Sequence, residues 1–196
     1  MSVFIHPTAD VSDSAVIGDG TRIWSLCQVR DGAQLGANCI VGRNSFIDVH
    51  VEVGANVKIQ NNCSLYEGVV IEDGVFIGPH VTFTNDLYPR AINPDGSQKD
   101  SSDWVLGTTR VCYGAALGAG TVVVTGTTIG RWAMIGSGAV VTRDVPDHAL
   151  MVGSPGRIIG WISAAGVRCE SQAEARRVTD DEIATALLGS APAVDQ

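Results

Sequence analysis

The residues best suited to chemistry lie in one short segment, FIGPHVTFTNDLYPRA, at residues 76–91. Asn85 and Asp86 place an amide beside a carboxylate, a pair that can contact a polar ligand or simply cap a loop. Arg90 can bind a carboxylate or a diphosphate through two parallel hydrogen bonds. His80 is a candidate general base, although an outward polar residue is the simpler interpretation. This segment is therefore the best candidate site for chemistry in the sequence.

Composition limits what else the chain can be. Its 196 residues fit one domain, and 45% hydrophobic residues with 23 glycines favour an ordered, turn-rich β protein. A net charge of −8 gives no basic surface for nucleic acid or an anionic membrane. No apolar stretch approaches the roughly 20 residues of a membrane span, and residues 1–8 lack signal-peptide features. We therefore expect a cytoplasmic protein with neither nucleic acid nor membrane as a partner.

The cysteines indicate packing rather than catalysis. There are five, an odd number without CxxC spacing, which argues against a disulfide framework. Cys27, Cys39 and Cys63 occupy one position of a sequence repeat that prefers small residues, so we expect them to be reduced core residues.

An apolar residue recurs at every sixth position, and this repeat must position the polar residues. A period of six matches neither a helix nor a simple alternating strand, and it indicates a short strand and a turn repeated around a prism. Glycine often follows the apolar residue, where we expect it to relieve the backbone at corners. The apolar residues are Ile5, Val11, Ile17, Ile23, Val29, Leu35, Val41, Ile47, Val53, Ile59, Leu65, Ile71, Ile77 and Phe83, then Val105, Val111, Leu117, Val123, Ile129, Ile135 and Val141.

These hexapeptides resemble those of the left-handed β-helix acyltransferases over about Ile5 to Trp161. The resemblance implies an all-β fold, a single-stranded left-handed parallel β-helix over residues 1–161, with three hexapeptides per coil. Residues 18 apart should then stack. It also implies a homotrimer. We expect residues 162–196 to form a C-terminal tail with a short helix around residues 182–188.

The repeat is interrupted once, between Phe83 and Val105. This predicts a polar loop extruded at about residues 85–104. In relatives of this fold such a loop reaches over the active site of a neighbouring subunit.

The run KIQNNCSLYEGVVIEDGVFIGPHVTFTNDLYPRA, with TRIW at residues 21–24 and VGSPGRIIGW at 152–161, resembles UDP-2-acetamido-3-amino-2,3-dideoxyglucuronate N-acetyltransferases. These enzymes act in bacterial surface polysaccharide biosynthesis. Their TND asparagine contacts the sugar near its reacting amine, and this role carries over to Asn85. Many hexapeptide acetyltransferases that act on sugar hydroxyls place a catalytic histidine in this region. This chain has Thr84, Asn85 and Asp86 there, which argues against O-acetylation.

Stacking at 18 residues predicts the neighbours of this site. It places Glu67 one coil from Asn85, where its carboxylate can contact the amine, and it aligns His80 with Asn62 and Asn44. We take Asn85 as the catalytic residue and Glu67, Asn62, Asp86, Arg90 and His80 as substrate-binding candidates.

The co-substrate that the resemblance implies is acetyl-CoA, in a groove between subunits beside the coils after the loop. Small residues there let pantetheine amides reach backbone groups, and arginines can neutralise the CoA phosphates. The family motif Pro-Ala-Arg reads Pro155, Gly156, Arg157 here. The candidate CoA residues are Ala115, Ala116, Ala133, Ser137, Gly138, Arg143 and Arg157.

Three alternatives remain. A zinc enzyme resembling the γ-class carbonic anhydrases needs converging histidines, but the four here, His6, His50, His80 and His148, contain no close pair, so we expect no metal. A non-catalytic scaffold is the second. The third is an N-acetyltransferase for a dTDP-3-amino-3,6-dideoxyhexose. The sequence leaves the nucleotide, the sugar configuration and the acyl chain length open.

Overall fold

The computed structural model describes residues 2–100, 103 and 105–189, with side chains described as far as residue 186. Within this range residues 4–152, apart from one insertion, wind into a left-handed parallel β-helix, a three-sided prism whose faces are parallel sheets. The predicted fold class is confirmed.

Short strands build the prism, and most contain only two residues. They are β1 (Phe4–Ile5), β2 (Asp10–Val11), β3 (Val16–Ile17), β4 (Arg22–Ile23), β5 (Gln28–Val29), β6 (Gln34–Leu35), β7 (Ile40–Val41), β8 (Phe46–Ile47), β9 (Glu52–Val53), β10 (Lys58–Ile59), β11 (Ser64–Leu65), β12 (Val69–Ile71), β13 (Phe76–Ile77), β14 (Thr82–Phe83), β15 (Thr109–Val111), β16 (Ala116–Leu117), β17 (Val122–Val123), β18 (Thr128–Ile129), β19 (Met134–Ile135), β20 (Val140–Val141), β21 (Ala149–Val152), β22 (Arg157–Ile162) and β23 (Arg168–Cys169).

Every third strand joins the same sheet. Sheet I begins β1-β4-β7, sheet II begins β2-β5-β8, and sheet III contains β3, β6 and β9. Phe4 pairs with Arg22 and Ile5 with Ile23, which confirms the predicted spacing of 18 residues per coil. The turns form three edges, which we name I/II, II/III and III/I after the sheets that they join.

The sixth-position apolar residues point into the prism and fill it. From Ile23 to Val141 those that lie in strands are at most 4% exposed. Cys27, Cys39 and Cys63 are free thiols in the same core, and burial raises the pKa of each thiol. Their predicted packing role is confirmed. The first coil is less covered, since Ile5 remains 42% exposed at the open end.

The interruption of the repeat is larger than the sequence count indicated. Phe76 pairs with Ala116, 40 residues away, so one coil of 18 carries 22 inserted residues. The insertion leaves edge II/III between Phe83 and Thr109. The prediction that Val105 resumes the repeat is wrong, because Val105 is 87% exposed and lies outside any strand. Ser101, Ser102 and Trp104 of the predicted loop lie outside the described residues.

The corners are formed by residues with positive φ, three positions after the inward apolar residue. Asn44 (φ 58°), Asn62 (φ 61°), His80 (φ 62°) and Gly120 (φ 70°) occupy this position on edge I/II. Asparagine and histidine tolerate the left-handed region better than most residues, which accounts for the recurrence of both types at six-residue spacing.

The glycines that directly follow the apolar residues have a different role from the one predicted. They keep ordinary φ values, but they lie against the backbone of the next coil. A Cβ on Gly36 would lie 2.6 Å from the backbone nitrogen of Ala55, and one on Gly118 would lie 2.5 Å from that of Ser137. Space between coils, not corner conformation, selects glycine there.

The prism closes with elements that the hexapeptide pattern did not predict in full. Strand β21 pairs antiparallel with β22, and β22 with β23. Helix α1 (Gln172–Gly189) then packs its Ala175 and Thr179 inward and begins ten residues before the predicted start. Ser171 accepts a hydrogen bond from the Glu174 amide and caps its first turn. No helix in residues 2–100, 103 and 105–189 is long and apolar enough to span a membrane.

Gly36→Ala tests the close approach of the coils. The added methyl overlaps three backbone atoms, so we expect it to destabilise the protein by about 1–3 kcal/mol, measured by urea unfolding. Gly160→Ala is the matched control, because a Cβ there meets nothing within 4 Å, and its unfolding midpoint should stay near wild type. Equal midpoints for the two variants would contradict this role.

Candidate active site

Edge II/III carries a chain of charged contacts that leads to the loop. The guanidinium of Arg30 donates to Asp48 at 2.8 Å, between neighbouring coils. The Asp48 side chain is only 11% exposed, and it also accepts backbone N–H bonds from Val49 (2.8 Å) and Glu67 (3.3 Å). Asp48 therefore fixes the backbone of Glu67 one coil from the start of the loop.

His50 is the neighbour of Glu67 that sequence reasoning missed. Its Nδ1 lies 3.5 Å from Oε1 of Glu67, and its ring covers Gly32, where a Cβ would be 2.7 Å from the imidazole Cδ2. The two residues are 17 apart, one short of a coil, so exact column arithmetic did not pair them. The Arg30–Asp48 pair, 18 apart with opposite charges, was visible in the sequence.

Asn85 and Asp86 lie where the chain leaves edge II/III. The Asn85 carbonyl accepts a bond from the Gly107 amide at 3.3 Å, which joins the two ends of the insertion, and Asp86 accepts one from Tyr88 at 2.8 Å. Asn85 and Asp86 are both half-buried. Arg90 is exposed and donates to the neighbouring Pro89 carbonyl at 2.9 Å. A cavity of ≈ 380 Å³ lies beneath the loop between Asp86, Tyr88 and Thr125.

Edge I/II carries the second group of candidates. Asn44 donates to Asn62 at 3.0 Å, and Asn62 lies 3.4 Å from Nε2 of His80. The predicted column of the three residues is therefore present as a ladder of side-chain contacts, with Asn44 and His80 exposed.

The substrate candidates fall on two different edges of one protomer. His80 and Asn85 are separated by β14 and five residue steps, so their Cα atoms lie up to about 16 Å apart at a rise of ~3.3 Å per residue. Glu67, Asp86 and Asn85 form one half of the candidate site on edge II/III, and Asn62 and His80 form the other half on edge I/II.

The candidate residues for CoA binding also lie on different parts of the prism. A surface groove of ≈ 350 Å³ on sheet I is lined by Ala116 and Ser137, together with Phe76 and Met134, which the sequence reasoning did not select. Gly138 lies exposed on the adjoining edge I/II, and Arg143 lies exposed on edge II/III. Arg157 is exposed in β22 and donates to the Gly156 carbonyl at 2.9 Å.

Two of the seven predicted CoA residues, Ala116 and Ser137, line this groove, and two of the other five are buried in the prism. Ala115 and Ala133 are 0% exposed and point into the prism. Their backbone groups are also used within it, since the carbonyl of Ala115 accepts from Phe76 and that of Ala133 accepts from Ala116. Both occupy the small inward position of the repeat, which a single sequence does not distinguish from a small surface residue.

Among the described residues, no three His, Cys, Asp or Glu side chains lie close enough to hold a metal ion together. His50 lies on edge II/III and His80 on edge I/II, so two of the histidines do not converge within a protomer.

Comparison with known proteins supports this description of the repeat. The sequence signature "Bacterial transferase hexapeptide (six repeats)" matches residues 14–48 and 50–85. A second signature, "Hexapeptide repeat of succinyl-transferase", matches residues 32–67 and 113–143.

Whole-protein similarities agree with the signatures. The dTDP-3-amino-3,6-dideoxy-alpha-D-galactopyranose 3-N-acetyltransferase of Aneurinibacillus thermoaerophilus is 42% identical over 160 residues, 81% of this chain and 78% of that protein. Two solved structures share the fold. The acetyltransferase domain of PglB from Neisseria gonorrhoeae, bound to acetyl coenzyme A, has a TM-score of 0.51 at 24% identity, over 80% of this chain and 57% of that one. A point mutant of AntD, an N-acyltransferase from Bacillus cereus, has a TM-score of 0.50 at 16% identity, over 94% and 91%. The chain belongs to the hexapeptide-repeat family of bacterial transferases, and it is an acyltransferase.

Proposed function

We propose that this protein transfers an acetyl group from acetyl-CoA to the amino group of a nucleotide-linked amino sugar. The observation that carries the proposal is the group on edge II/III, where Asn85 begins the inserted loop one coil from the Glu67 carboxylate. Neighbouring coils lie about 4.8 Å apart, so an amide and a carboxylate at equivalent positions of two coils suit the binding of an amine. The 42% identity with a sugar N-acetyltransferase supports the same reaction.

The transfer makes modest chemical demands. The neutral amine attacks the thioester carbonyl, the C–S bond of the tetrahedral intermediate breaks, and the amine proton passes to the departing CoA thiolate. If the sugar amine titrates like an α-amino group, with a pKa of about 7.7–8.0, an appreciable fraction is neutral near pH 7.5. Orientation of the amine then contributes more than a strong base.

The described residues suggest a role for each part of the site. The Asn85 side chain orients the amine, and Glu67, positioned by Asp48 and His50, attracts its cationic form. Asp86 lies at the base of the loop, and the exposed Arg90 is available for a carboxylate or a phosphate. Ala116 and Ser137 line the groove for pantetheine, Gly138 follows on the adjoining edge I/II, and Arg143 and Arg157 are available for the CoA phosphates.

A complete site needs two copies of the chain, because the candidates lie on two edges. The two edges differ in charge before the loop. On edge I/II the turns from 6–9 to 78–81 contain no Asp or Glu, but they contain Arg43. Edge II/III carries Asp13, Asp31, Asp48, Glu67 and Asp86. Complementary edges on one protomer favour a head-to-tail ring, and we propose that this ring is the homotrimer.

The proposed acceptor is a UDP-linked 2-acetamido-3-amino-2,3-dideoxyuronic acid. The protein would acetylate this sugar in the cytoplasm, as a step in the biosynthesis of bacterial surface polysaccharide. A uronate needs a cation near its carboxylate, and Arg90 is the candidate. The relative at 42% identity favours a second acceptor, a dTDP-3-amino-3,6-dideoxyhexose, which has no carboxylate. The acetyl transfer itself is the same in both.

A thiol-release assay tests the reaction and separates the acceptors. Purified protein with acetyl-CoA and a panel of UDP- and dTDP-linked amino sugars should release CoA thiol only with a 3-amino sugar. Faster turnover of the UDP-linked uronate is expected, and Arg90→Ala should raise the KM for that substrate alone. Faster turnover of the dTDP-linked hexose would favour the second acceptor. No thiol release with any amino sugar would contradict the proposed function.

Asn85→Ala should lower kcat/KM for the amino sugar by about 10- to 100-fold, because a misplaced amine reacts slowly even where the groups around it are intact. The oligomeric state, measured by light scattering, should not change. Asn56→Gly is the control, since it removes an exposed amide from edge III/I at φ 58°, which glycine tolerates. Wild-type turnover in Asn85→Ala would remove Asn85 from the mechanism.

A further inference from the structure

The first two coils expose an aromatic pair on sheet I beside edge I/II. The rings of Phe4 and Trp24 lie 5.5 Å apart and are tilted by 60°. Phe4 is 42% exposed and Trp24 is 44% exposed, so a large part of each side chain faces solvent. A surface cavity of ≈ 480 Å³ is bounded by Ser2, Phe4, Arg22 and Trp24. Exposed rings of this kind offer a stacking surface for a flat, polar ring system.

Two arginines with no acidic partner lie beside these rings. Arg22 borders the cavity, and Arg43 lies on edge I/II one coil further along, above Ser25. Within the described part of the chain, neither guanidinium has a carboxylate within ion-pair distance, whereas Arg30 and Arg110 both have one. Arginines that are left unpaired on an edge without Asp or Glu attract a diphosphate.

The order of the residues along edge I/II determines which part of an extended ligand each of them would contact. Trp24 is three coils from Gly78, because 24, 42, 60 and 78 occupy equivalent positions, and three coils span about 14 Å. Arg43 lies between these two levels, and His80 lies at the far one. An extended ligand on this edge therefore meets aromatic rings first, then a cation, then the ladder of Asn62 and His80.

From this order we infer that the nucleoside diphosphate part of the substrate binds along edge I/II, with its base against Trp24 and Phe4 and its diphosphate at Arg43. The inference rests on the proposed function and adds a nucleotide subsite to it. A nucleotide bound there would place the sugar amine at the level of Asn62 and His80. A stacking surface accepts uracil and thymine alike, so this subsite does not choose between a UDP-linked and a dTDP-linked sugar. The acidic edge of the adjoining copy then meets the cationic amine.

Calorimetric titration with free UDP, free dTDP and acetyl-CoA tests the subsite. Trp24→Ala and Arg43→Ala should each weaken the binding of UDP and dTDP by about tenfold or more, since each removes a stacking or bidentate contact. The Kd of acetyl-CoA should stay within about twofold of wild type, because its groove lies on the coils after the loop. Arg168→Ala, an exposed arginine in β23, is the control and should leave all three affinities unchanged.

A fluorescence measurement keeps the test independent of any folding defect. Trp24→Phe retains a ring, so it should still bind UDP but lose the quenching of tryptophan emission that UDP causes in wild type. Unchanged UDP affinity in Trp24→Ala, or full quenching in Trp24→Phe, would overturn the subsite, as would a wild-type protein that binds neither nucleotide. Thiol release in wild type with these results would leave the proposed acetyl transfer intact. Trp24-dependent UDP binding without thiol release would instead reject the acetyl transfer alone.

Discussion

The close stacking of one coil on the next is the constraint on which the rest of the structure depends. Coils in a parallel β-helix lie about 4.8 Å apart, so each inward apolar residue packs against equivalents 18 residues before and after it. At this distance the residue after each inward position often has room for no side chain, which explains the glycines whose Cβ would overlap the next coil. The same stacking aligns surface residues in straight columns, and those columns form the candidate site.

A prism with three edges divides its functional groups. Asn85, Glu67 and His50 lie on edge II/III, which extrudes the loop. Asn62 and His80 lie on edge I/II, at the opposite end of the sheet II strands. Acidic side chains gather on the loop edge, and the coils before the loop leave edge I/II without any. An ammonium suits the first edge and a diphosphate suits the second. A nucleotide-linked amino sugar contains both groups, which is why we propose a cleft in which edges of two copies face each other.

The period of six predicted a prism of short strands and the buried cysteines, because both depend only on the spacing of inward residues, and the resemblance to left-handed β-helix acyltransferases predicted the 18-residue register. That register also predicted the column of Asn44, Asn62 and His80. The period of six failed where spacing alone does not determine the structure. Val105 falls on the six-residue count but lies in the insertion, and Ala115 and Ala133 are small because they face inward, not because they border a groove. The His50–Glu67 contact depends on the course of a corner, which shifts neighbours by one residue from the column.

Subunit complementation tests most directly the central claim that each site is built from edges of two copies. Asn85→Ala damages only the loop edge, and a Trp24→Ala/Arg43→Ala double variant damages only the other edge. The two differently tagged variants are unfolded together, refolded and assayed for acetyl transfer. In randomly mixed trimers each side of a cleft has an intact edge about half of the time, so about a quarter of the clefts have two intact edges. The account predicts recovery of about a quarter of the wild-type rate from two nearly inactive proteins. Mixed trimers that show no more activity than the separate variants would contradict it.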